Sequence, residues 1–126
     1  MSRLFLVTGA LLGGLAVIFG AFGAHAIRGS IEAHRFSAFE TGVQYQMYHA
    51  LALLAIGVLL NLHPEQAALK WSGLFFIVGT LLFSGSLYLL ATTQAGFLGP
   101  VTPVGGFGFI LGWGFFLYAV ASGFKH

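Results

Sequence analysis

Residues 39 to 54 read FETGVQYQMYHALALL, and their first half concentrates groups able to do chemistry in a chain that otherwise has few. Glu40 offers an anion, Gln44 and Gln46 amides, Tyr45 and Tyr48 phenols, and His49 an imidazole that titrates near neutrality. His25 precedes them in the chain, and Ser84 and Tyr88 follow much later. Three kinds of chemistry suit this set. The first is a hydrogen-bond network that cross-links helices. The second is a pocket for a small polar ligand, a lipid headgroup or a proton. There Glu40 and His49 bring charge, Gln44, Tyr45, Tyr48, Ser84 and Tyr88 hydrogen bonds, and His25 a switchable group. The third uses His25 and His49 as axial ligands of a haem, or both with Glu40 around zinc or copper. No cofactor is expected on the first two readings. The chain has no Asp and no Cys, so neither a Ser-His-Asp nor a Cys-His catalytic set can be assembled. A non-enzymatic protein is expected.

The elements that position these groups follow from composition. Of 126 residues, 58% are hydrophobic and only 6% charged, against about 25% charged in a soluble domain. Such a chain cannot cover itself with a water-facing surface and reads as an integral membrane protein. At about 20 apolar residues per span, the length admits four crossings and no second domain. The five Lys and Arg are scattered, with no basic run, so nothing points to nucleic acid. The bilayer is the partner that composition implies.

Four spans are legible, at about residues 4–27, 43–62, 71–92 and 104–124, in a single transmembrane domain over 1–126. Ala24-His25-Ala26 imitates a signal-peptide cleavage site, but the apolar run before it is longer than such peptides carry. Between the first two spans, Ser30 is placed to cap a short interfacial helix, with Phe36 and Phe39 dipping into the membrane and Glu32 and Arg35 facing water. Short connections make the fold class all-α, an antiparallel four-helix bundle. Arg3, Lys70 and Lys125 then share one end with both termini, and Arg28 and Arg35 the other. The positive-inside rule leans towards cytoplasmic termini.

In the first span, Gly9, Gly13, Ala16, Gly20 and Gly23 form a ridge of small residues, and Gly105, Gly108 and Gly112 a shorter one in the fourth. These ridges suit close helix packing within the chain, and the Gly9/Gly13/Gly20 ridge also suits a homo-oligomer. At 100° per residue, Glu40, Thr41, Gln44, Tyr45, Tyr48 and His49 fall on one half of the second span and are expected to face inward. Met47, Ala50, Leu53 and Leu54 are expected on lipid, with Gln46 out of phase. His25 and His49 reach similar depth, so a shared cavity is expected near the end away from the termini. A transporter is disfavoured, because the half nearer the termini has no polar path and no span is broken by mid-membrane Pro.

The segments GAFGAHA (20–26), FETGVQYQMYHALALL (39–54), LFSGSLYLL (82–90) and GPVTPVGG (99–106), in that order, resemble a family of small membrane proteins. That family is domain of unknown function 423, found in many bacteria and with small eukaryotic transmembrane relatives. The resemblance implies a four-span protein of the bacterial inner membrane. It implies no activity.

Overall fold

A computed structural model describes residues 1–93 and 96–124; Lys125, counted above for orientation, lies outside them. Four helices run Ser2–Ile27, Ala33–Leu62, Ala67–Thr92 and Val101–Ala121, with no strand among the described residues. Each is long and apolar enough to cross a membrane, the fourth together with the short turn Gly96–Leu98 that leads into it. The fold is the all-helical, four-span arrangement that composition requires.

The first helix widens into a π turn at Phe19–Gly23, where the Ala24 N–H donates to Phe19 O. It stops at Ile27 through a type II turn: Arg28 is extended (φ −62°, ψ 126°), Gly29 takes φ +83°, and the Ser30 N–H bonds Ile27 O at 3.0 Å. Only glycine takes that positive φ without strain. The Ser30 hydroxyl also donates to Ile27 O, at 2.7 Å. Ser30 therefore closes the first helix and caps nothing that follows.

Among the described residues no separate interfacial helix stands between the first two spans. The second helix starts at Ala33 and runs unbroken for 30 residues. No proline interrupts it, and its length of about 45 Å exceeds a hydrocarbon core of about 30 Å, which puts its first turns at the interface. Phe39 does not dip into lipid; it is buried against the Tyr88 ring, with centroids 5.4 Å apart.

The helices pack in chain order, first on second, second on third and third on fourth. The second and third are therefore central and the first and fourth lie at the edges. Glycines set the close approaches. A Cβ at Gly9 would stand 2.9 Å from Ala50 O, and one at Gly20 3.3 Å from Val43 Cγ1. Gly9 is thus buried against the second helix, whereas Gly20 at the far end of the ridge stays exposed. Gly105, Gly108 and Gly112 pack in the same way along Phe83, Gly79 and Phe76 of the third helix. Towards the termini the interior is built on Phe5, Leu53, Ile56, Leu60, Leu69 and Phe76, with Ser72 a buried polar group among them.

The inward face of the second helix differs from the expectation. Phe39, Gly42, Gln46, His49, Leu53, Ile56 and Leu60 are buried at alternating spacings of three and four, and Ala50 is fully buried. Glu40, Gln44 and Tyr48 are exposed, and Tyr45 is 38% exposed. Ala50 and Leu53, expected on lipid, are inside, and Gln46 is in phase after all. Close packing decides this: Gly42, Ala50 and Gly57 must face the neighbouring helices. Glu40 and Gln44, near the membrane edge, do not need burial.

Candidate functional site

The polar groups separate into two sets. The first set cross-links helices. Gln46, 3% exposed, donates through Nε2 to Leu12 O at 2.8 Å and accepts through Oε1 from the Tyr88 hydroxyl at 2.6 Å. One side chain thereby joins three helices. Gly42 gives the Tyr88 ring its room, since a Cβ there would stand 2.7 Å from the ring. Ser84 Oγ donates to Gly42 O at 2.7 Å and Ser72 Oγ to Gly112 O at 2.6 Å, while the Ser86 and Thr102 hydroxyls bond each other. In a membrane such bonds are worth about 0.6 kcal/mol each on average.

His49 belongs to this set. Its Nδ1 lies 2.7 Å from Tyr45 O, and Trp113 Nε1 donates to its Nε2 at 3.1 Å. A carbonyl only accepts and an indole N–H only donates, so the ring is the neutral Nδ1–H tautomer with both nitrogens engaged. It stacks on Phe109 at 3.6 Å between centroids and 6° between planes. Tyr45 lies over Phe83 at 4.7 Å, and Tyr48, 54% exposed, touches only the edge of Tyr45 at 5.6 Å among ring contacts. None of these three opens onto a pocket with His25.

The second set lies at the end away from the termini, in the groove between the first two helices. A hollow of 310 Å³ is lined by Gly20, Ala21, Ala24, His25, Arg28, Phe36 and Glu40. A smaller hollow of 120 Å³ shares Gly20, Ala24 and Glu40 with it and adds Phe39, Val43 and Gln44. The π turn forms the wall of both, a feature often found where a helix bends around a functional site. Arg35 is not available here, because its Nη2 donates to Thr93 O and neutralises the C-terminal end of the third helix.

Of the sequence-derived candidates, His25 and Glu40 line the larger hollow and Glu40 and Gln44 the smaller one, and Ser84, Tyr88 and His49 are committed to helix contacts. The cavity expected to hold both His25 and His49 does not form. His25 and Glu40 line one hollow, whereas the His49 ring meets Phe76 of the third helix and Phe109 and Trp113 of the fourth. The haem reading loses its ligand pair, and among the described residues no three His, Asp or Glu gather around one point. Arg28 and Trp113 were missed, and Gln46 was placed on the wrong face. Gln46 could have been found from its three-and-four register with Phe39, Gly42 and His49. Trp113 could have been found from the need of a membrane-buried indole N–H for a partner.

Residues 19–106 match the family described as protein of unknown function DUF423. Among similar proteins, the UPF0382 membrane protein SAB0533 of Staphylococcus aureus (strain bovine RF122 / ET3-1) is 47% identical over 88% of this chain and 89% of its own. The UPF0382 membrane protein SH2409 of Staphylococcus haemolyticus is 43% identical over 98% and 97%. The UPF0382 membrane protein YwdK of Bacillus subtilis (strain 168) is 42% identical over 88% and 90%. No solved structure matches the chain.

Proposed function

This chain belongs to the DUF423 family of membrane proteins, and from that premise we propose that it is a non-enzymatic protein that holds a zwitterionic phospholipid headgroup in its far-end groove. One observation carries the reading: His25, Arg28 and Glu40 line one 310 Å³ hollow. Ionisable groups that reach into membrane helices usually pair with one another or mark a ligand path. These three share a common space, while Gln46, His49, Ser72, Ser84, Ser86 and Tyr88 are tied into helix contacts. A headgroup with a phosphate and an ammonium completes the set. The phosphate sits beside Arg28, whose guanidinium suits it bidentately, with His25 as a second donor. The ammonium sits beside Glu40. Gln44, one turn deeper, is level with the glycerol esters, and Gly20 and Ala24 keep the wall low enough for acyl tails to leave sideways.

In this reading the protein resides in the inner membrane with cytoplasmic termini, since Arg3, Lys70 and Lys125 outnumber Arg28 and Arg35 by one. The groove then opens to the outer leaflet. The test is lipid retention, measured by native mass spectrometry on protein released from mixed nanodiscs of phosphatidylethanolamine and phosphatidylglycerol. The wild type should retain phosphatidylethanolamine preferentially. Glu40→Gln should shift the preference towards phosphatidylglycerol, and Arg28→Gln should weaken retention of both. A wild type with no preference, or variants that keep it, refutes the headgroup site.

A further inference from the structure

A second space lies elsewhere, and it differs in chemistry. A cleft of 200 Å³ opens between the first and third helices, over Gln46 of the second, with Leu12, Phe19, Thr80, Gly85 and Tyr88 in its walls. The first and third helices do not pack closely along their length, and Leu81 at the rim is 63% exposed, so the cleft faces lipid sideways. Its polar walls are nearly all satisfied. Gln46, Tyr88 and Ser84 make the helix contacts described above. Thr80 differs: it is 3% exposed and its Oγ1 has no hydrogen-bond partner. A hydroxyl in hydrocarbon ordinarily bonds the carbonyl one turn back, and leaving it unpaired there is costly.

Depth narrows what could answer it. Thr80 lies midway along Ala67–Thr92, about 20 Å from either end at 1.5 Å per residue, which is the bilayer midplane. Phospholipid ester oxygens stop near the edge of the hydrocarbon core, about 15 Å away, so a phospholipid brings only its tails this far. An acceptor reaches the midplane only on a lipid whose polar part is itself hydrophobic enough to submerge, such as a ring ketone on an isoprenoid tail. The Phe19 and Tyr88 rings, 5.4 Å apart edge to face in the same cleft, offer a flat ring aromatic contact.

We propose that this cleft is a site for a membrane quinone, with one ring carbonyl accepting a hydrogen bond from Thr80 Oγ1 and the tail leaving between the first and third helices. The proposal is independent of the headgroup groove. Binding alone is assigned.

The test uses the full chain in quinone-free nanodiscs, with decylubiquinone as probe and decylbenzene, which has ring and tail but no carbonyl, as control. Binding is read from the rise in unfolding midpoint with concentration. Decylubiquinone should bind saturably and several-fold more tightly than decylbenzene. Thr80→Val, which keeps the shape, should weaken decylubiquinone about two- to tenfold and leave decylbenzene unchanged, whereas Thr80→Ser should retain the preference. Gly85→Leu, placed where a Cβ meets nothing within 4 Å, should fill the cleft and weaken both without unfolding the bundle. Glu40→Gln should alter neither. Equal affinity for the two probes means that the cleft takes any apolar chain and overturns the proposal. So does a Thr80→Val protein that binds decylubiquinone as the wild type does, or a wild type that binds neither.

Discussion

Gln46 is the side chain whose removal should report most directly on how the bundle is tied. Replacing it with Leu keeps the volume and deletes two bonds, to Leu12 O at 2.8 Å and from the Tyr88 hydroxyl at 2.6 Å. The Leu12 carbonyl keeps its bond within the helix, but the Tyr88 hydroxyl loses its acceptor. At about 0.6 kcal/mol per interhelical bond, plus a penalty for the stranded hydroxyl, Gln46→Leu should cost about 2 kcal/mol. Tyr88→Phe deletes one of the same bonds and should cost about 1 kcal/mol. The double variant should cost little more than Gln46→Leu alone, because the hydroxyl it removes has already lost its acceptor. The coupling should thus fall between about 0.6 and about 1.7 kcal/mol, the average and the maximum measured for hydrogen-bonded pairs in a membrane bundle. The assay is reversible unfolding in bicelles, by steric trapping or by titration with sodium dodecyl sulfate. If the two losses add to within about 0.3 kcal/mol, the pair is not a bonded unit and the three-helix tie is refuted.

The remaining predictions address packing and topology. His25→Ala and His49→Ala should be additive in stability within about 0.5 kcal/mol, since the two rings share no partner; strong coupling would restore a common cavity. Gly42→Ala should destabilise by about 1–3 kcal/mol, because its Cβ meets the Tyr88 ring at 2.7 Å. Gly14→Ala, where nothing lies within 4 Å, should stabilise by up to about 1 kcal/mol through helix propensity. Thermal unfolding in one detergent compares the two, and similar effects would refute the assigned faces of the first and second helices. Reporter fusions at Gln66 and after the last residue should report the same side of the membrane, and opposite sides would exclude four spans.

Much of the fold was legible because a bilayer leaves a chain little choice. A sequence with 6% charged residues and four long apolar runs must bury its backbone polar groups in helices, and short links must alternate their direction. The small residues from Gly9 to Gly23 and from Gly105 to Gly112 also announced close helix contacts. Which way the second helix turned was a different question. Its polar residues Glu40, Gln44 and Tyr48 suggested an inward face, yet in lipid the small residues Gly42, Ala50 and Gly57 set the closest approach and took the interior. Polar side chains near the membrane edge gain little from burial, so their pattern carried no reliable phase. The partner of His49 was beyond local reading for a similar reason. Trp113 stands 64 residues away, and only the packing of the fourth helix along the third brings its indole N–H to the ring. The two histidines show the same limit: equal depth follows from counting residues, but sharing a cavity depends on the rotation of each helix about its own axis. That rotation is decided by the fit between neighbouring surfaces, which exists only once all four helices have met.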